Sequence, residues 1–81
     1  MITSEQVRAA RALLRWEQKD LATASKVSLP SIKRLEGIQG PLVAQERTID
    51  AIIAAFWKAR VEFTNGDEPG VKLRKAKGKR K

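Results

Sequence analysis

The chain contains no cysteine and no histidine. The first absence removes disulfides and thiolate metal sites. The second removes the commonest general base and the commonest zinc ligand together. Asp, Glu, Lys and Ser could still furnish catalysis, but no catalytic constellation of them stands out. The expectation is a protein that is not an enzyme and that needs no cofactor, metal or small-molecule ligand. No apolar run approaches the ~20 residues needed to span a bilayer. The opening Met1-Ile2-Thr3-Ser4-Glu5 lacks the basic and apolar regions of a signal peptide, so a soluble cytoplasmic protein with no membrane partner is expected. Eighty-one residues allow one small domain with a limited core. A compact helical fold, helped by dimerisation, is the sensible prior at that size.

Acidic charge is also missing, but only from one end. The last ten positions hold seven bases (Lys72, Arg74, Lys75, Lys77, Lys79, Arg80 and Lys81) and no acid. The first seventy-one residues set ten bases against nine acids, so the body is almost neutral within a total of +8. Global charge therefore argues for an anionic partner through the tail alone. Residues 75–81 read as a disordered basic tail, either solubilising or a sequence-blind DNA arm. A function for the body has to come from pattern.

Thr3, with Gln6 three residues on, reads as a capping box that starts a helix at Ser4. Val7, Ala10 and Leu14 share its inner face. A second short helix runs from Glu17 or Gln18 to about Ser25, with Leu21 and Ala22 inward and acid in its first turn, where the helix dipole favours it. Lys26-Val27-Ser28 breaks the chain. Ser28 is a good N-cap and Pro30 fits the first turn of a third helix, which turns Ile32 and Leu35 inward and stops at Gly37. Gly40-Pro41 marks a loop. Ile49, Ile52, Ile53 and Phe56 then predict an amphipathic fourth helix over about 45–59. Val61-Glu62-Phe63-Thr64 and Val71-Lys72-Leu73-Arg74 alternate as strands do, around an Asn65-Gly66 turn signal. Such a hairpin needs something to pack on.

The informative stretch is Gln18-Lys19-Asp20-Leu21-Ala22, then Val27-Ser28, then Ile32 and Leu35. Two helices joined by so short a turn cross steeply. Ala22 is small where they touch, and Leu21, Val27, Ile32 and Leu35 plug the corner. The outer face of the later helix is then Leu29, Pro30, Ser31, Lys33 and Arg34. No acid lies between Asp20 and Glu36 to repel phosphate.

Those residues, with Arg8-Ala9-Ala10-Arg11-Ala12-Leu13-Leu14 ahead of them, resemble the Cro/C1-type (XRE) family of bacterial helix-turn-helix regulators. The likeness is greatest to short members that end in a Val-Glu-Phe strand and a Pro-Gly-Val-Lys-Leu-Arg segment, as Val61–Phe63 and Pro69–Arg74 do here. It spans about Val7 to Arg74. It implies a mainly α, four-helix, lambda-repressor-like helix-turn-helix domain over residues 1–74, with a short C-terminal β segment and then the basic tail. The implied function is sequence-specific binding of double-stranded DNA by a repressor or other transcriptional regulator, nucleoid-associated when bound.

The resemblance also implies residue roles. Leu29, Pro30, Ser31, Lys33 and Arg34 match positions that face base edges. Gln18 and Ser28 match contacts to the DNA backbone, with Lys19 and Lys26 beside them. Arg11 and Glu36 match an internal ion pair. Chemistry is consistent with this: Arg34 or Lys33 can donate to guanine O6 and N7, with Lys33 equally able to meet phosphate, and Leu29 can meet a thymine methyl. Arg15, Lys26 and Arg60 stand where relatives usually have a helix-ending glycine. Either the turns are reshaped, or non-glycine residues at positive φ cost roughly 1 kcal/mol each. Glu17 replaces the usual serine cap.

One helix-turn-helix reads few base pairs, so a homodimer on an inverted repeat is expected. Its expected contacts are the strands, through Val61, Phe63, Val71 and Leu73, with Trp57 nearby; Trp57 reads as either core rim or subunit contact. A different class of function, a protein-binding antitoxin or antiactivator on the same fold, draws support from the near-neutral body. A nonspecific nucleic-acid binder driven by the tail is a third reading.

Overall fold

The computed structural model describes residues 2–65 and 67–74. The described chain is mainly helical: α1 (Ser4–Leu14), α2 (Gln18–Ser25), α3 (Leu29–Glu36) and α4 (Glu46–Lys58), followed by β1 (Val61–Thr64) and β2 (Gly70–Leu73). No helix among these residues is long and apolar enough to cross a membrane.

Side-chain caps begin α1 and α3. The Thr3 Oγ1 accepts from the Gln6 N–H at 3.1 Å, and the Thr3 N–H donates back to Gln6 Oε1 at 2.9 Å, which satisfies two otherwise orphaned donors. Ser28 Oγ accepts from the Ser31 N–H, and Pro30 occupies the first turn of α3 without a lost bond. At α2 the Asp20 carboxylate accepts from the Glu17 N–H at 2.8 Å. The fourth helix spans Glu46–Lys58, with Gln45 and Ala59 as its caps.

Arg15, Lys26 and Arg60 all adopt left-handed backbone, with φ of 57°, 63° and 72°. Arg15 ends α1 and Lys26 ends α2; Arg60 leads into β1. The turns keep the geometry a glycine would favour, so the steric cost falls on stability.

The core gathers Val7, Ala10, Leu21, Ile32, Leu35, Ile52, Ala55, Phe56 and Val61, with Ile2 and Leu42 from the connecting segments. Phe56 is its centre. Trp16 stacks on one side of it and Phe63 meets it edge-on, each with centroids 5.6 Å away. The Gly40–Leu42 loop is tied to the chain's start by Ser4 N–H to Gly40 O and Leu42 N–H to Ile2 O. Glu5 adds a side-chain tie to the same loop. Its own backbone N–H, then that of Gly40, hold its carboxyl below the usual glutamate range.

The strands form an antiparallel hairpin in which Val61 faces Leu73 and Phe63 faces Val71. The second strand therefore covers 70–73, where alternation alone suggested 71–74. Gly70 pairs with Thr64, while Arg74, just past the strand, donates its N–H to Arg60 O opposite it and its guanidinium to Trp57 O, both at 2.7 Å. The hairpin is held to α1 by one buried amide. Gln6 Nε2 donates to Thr64 O and to Gly70 O, each at 2.9 Å. The Asn65-Gly66 turn signal falls partly, and the basic tail 75–81 wholly, outside the described residues.

Candidate nucleic-acid interface

The site is assembled where α2, the Lys26–Ser28 turn and α3 meet α1. Its foundation is Glu36, the only acid of α3, which is turned inward and 3% exposed. Arg11 Nε and Nη2 grip its two carboxylate oxygens at 2.7 Å each. Gln18 Nε2 donates to the same carboxylate at 3.1 Å. Arg11 spends a further N–H on Trp16 O, and Arg8 donates to the Glu36 carbonyl. One buried carboxylate thus joins α1, α2 and α3. A fork-to-fork pair with added donors is the geometry in which a buried charge is well compensated.

Ser25 fixes the turn. Its Oγ donates to Leu21 O at 2.7 Å and accepts from the Val27 N–H at 3.2 Å. Nothing in the periodicity marked this residue, because a serine at the end of a polar helix is ordinarily solvated. Beyond it, Val27 and Ala22 pack on the core. Ser28 Oγ donates to Ser31 Oγ at 2.9 Å, so both hydroxyls hold the start of α3.

The outer face of α3 differs from one end to the other. Pro30, Lys33 and Arg34 are exposed, while Leu29 and Ser31 are half-buried. Leu29 and Lys33 share a shallow hollow of about 230 Å³ with Glu17, Gln18 and Lys19. The structure therefore brings Gln18 and Lys19 of α2 alongside Leu29 and Lys33 of α3. Lys19 also makes an ion pair with Glu17 at 3.7 Å, with both side chains largely in water; such a pair is weak and easily exchanged. Lys33 and Arg34 make no ion pair among the described residues. Lys26 is exposed at the end of α2.

The residues expected at a subunit contact are not all available. Val61 is 1% exposed and lies in the chain's own core, because β1 packs against α4 and α1; it is removed from any intersubunit surface. Phe63 and Val71 are half-buried against the same core. Trp57 and Leu73 are about half exposed. The Arg74 guanidinium lies 3.7 Å above the Trp57 ring, a cation–π stack.

No protein-family model matches the chain, and no curated protein matches it either.

Proposed function

We propose that α2, its turn and α3 act as a helix-turn-helix unit of a sequence-specific DNA-binding regulator, with α3 in the major groove of an inverted-repeat site bound by a homodimer. One observation carries the reading: the only acid of α3 is buried and neutralised by Arg11, so the helix offers Lys33 and Arg34 outward with no carboxylate among them. A face of that kind attracts phosphate and leaves a planar guanidinium to meet guanine. At the helix start the Leu29 N–H and the Ser31 hydroxyl are left to face the DNA backbone, because Pro30 has no N–H and the Ser31 N–H is held by Ser28 Oγ.

Within this reading Arg34 is the base reader, Lys33 meets a base or a phosphate, and Leu29 lies against a thymine methyl. Pro30 and Ser31 flank them. Gln18 and Lys19, at the edge of the shared hollow, contact the DNA backbone together with Ser28 and Lys26.

Selection from a randomised duplex library by the full chain, near ~150 mM salt so that sequence-blind attraction is screened, tests the reading. An enriched two-fold symmetric motif is expected. Binding without any enriched motif would overturn it.

A further inference from the structure

Much of the outer face of α4 stands open in the described chain, with Arg74 reaching it where its guanidinium lies 3.7 Å above the Trp57 ring. With Ala24 and Ser25 of α2 and Lys26 just after it, α4 forms an open groove of about 530 Å³, whose α4 side includes Asp50, Ala51, Ala54, Trp57 and Lys58 beside Ile53 and Ala55. Asp50, Ala54 and Lys58 are exposed, Ala51 is half-buried, and Trp57 stands 50% exposed at the rim. With Arg74 on one face of its ring, the indole still leaves apolar area in water beside an apolar hollow, area that a partner can bury.

The order of these residues identifies the occupant. Counted from Ala54, Ala51 and Trp57 lie three residues to either side, and Asp50 and Lys58 lie four to either side. All five fall on one helical stripe. Eight residues of helix separate Asp50 from Lys58 by about 12 Å, too far for an ion pair within one chain. Neither residue is ion-paired among the described residues.

In two copies of α4 crossing antiparallel at Ala54, every mismatch becomes a match. The large Trp57 of each copy meets the small Ala51 of the other, and each Asp50 meets the other's Lys58. The small side chain at the centre lets the helix axes approach closely. A two-fold axis makes each contact twice, as an isologous interface requires.

We infer that the α4 groove is a self-association surface whose occupant is α4 of a second copy of this chain, crossing antiparallel at Ala54. The inference deepens the dimer in the reading above, and Lys26, at the edge of the groove, is the residue it shares with the DNA part. One helix face per subunit is a small contact, at the transient end of specific interfaces below about 1,200 Å² in total.

Sedimentation velocity on the full chain without DNA, from about 10 to about 500 μM, tests it at the weak affinities such a contact gives. A concentration-dependent monomer–dimer equilibrium is expected. Because the axis duplicates each ion pair, Asp50→Lys or Lys58→Asp alone turns two attractions into two repulsions. Each should raise the dissociation constant on the order of tenfold. The double variant Asp50→Lys/Lys58→Asp should bring it back to within about threefold of the starting value. Ala54→Glu, at an exposed position, should give a folded monomer by circular dichroism. A wild-type monomer at every concentration, a dimer that survives Ala54→Glu, or a double variant no better than the single ones would each overturn the inference. Failure of the DNA selection would leave these results unchanged, so the two readings fail separately.

Discussion

Two outward helix faces of this molecule follow the same rule of amphipathic packing and end with opposite characters. On α3 the residues left outside are Pro30, Lys33 and Arg34, and the helix's one carboxylate has been drawn inward onto Arg11. On α4 the residues left outside are Ala54 and Trp57, with half-buried Ala51 beside them and Asp50 and Lys58 bracketing the three. The first face is cationic and offers hydrogen-bond donors, with Glu17, paired with Lys19, at the edge of its hollow. The second is largely apolar; its α4 stripe carries one charge of each sign and complements itself when turned over, with Lys26 at the edge of the groove. An inward-facing stripe tells what builds the core; the leftover stripe tells which partner can lower the free energy further. A polyanion suits the first and a second copy suits the second.

The comparison breaks most severely at Glu36. Replacing it by Ala leaves Arg11 and Gln18 without their shared acceptor, in a site where the Arg11 side chain is only 19% exposed. A loss of about 3–5 kcal/mol in urea melts is expected, since removal of one partner strands the other. With it α3 loses its fixed orientation on α1 and α2. A loss below about 1 kcal/mol would mean that the pair does not organise the face.

Arg34→Ala sharpens the contrast without disturbing the fold, because the side chain is exposed and makes no ion pair among the described residues. It should cost about 1–3 kcal/mol on the selected duplex and relax specificity at one position. In fluorescence anisotropy, an equal loss on all sequences would move Arg34 from base edge to phosphate. Self-association should be unchanged.

The smallest effect belongs to a change that touches neither face. Arg15 sits at φ 57° at the end of α1, where glycine carries no steric penalty. Arg15→Gly should raise stability by about 0.5–1 kcal/mol in thermal or urea unfolding, while leaving DNA binding and dimerisation as they were. A fall in stability would show that the Arg15 side chain contributes more than its backbone strain costs.

Much of the chain's organisation could be read from local chemistry. The Thr3/Gln6 cap, the Ser28-Leu29-Pro30 start and the Ile49, Ile52, Ile53, Phe56 spacing all report on bonds and faces within a few residues, and the helices begin and end accordingly. Positive φ at Arg15, Lys26 and Arg60 was one of two alternatives, reshaped turns being the other, since nothing about an arginine or lysine itself favours that conformation. Of the long-range contacts, the Arg11–Glu36 pair was expected through the family resemblance and is present, whereas other long-range roles were not legible. Gln6 looked like half of a cap, yet its other amide end holds two carbonyls of a hairpin near the opposite end of the chain. Alternation showed that Val61 and Phe63 share a side, but not that α4 and α1 cover that side. Val61 was thus assigned to an interface when it belongs to the core. Ser25 escaped notice because its two bonds go to backbone groups, which sequence pattern does not display.

The most direct test of the account follows the amide resonances of the full chain as a selected duplex is added. Perturbations should concentrate at Gln18, Lys19, Ser28, Leu29 and Ser31–Arg34, leaving Asp50, Ala54 and Lys58 largely unmoved at a fixed dimer population. Perturbations centred on α4 or the hairpin, with α3 silent, would contradict the assignment of DNA recognition to α3.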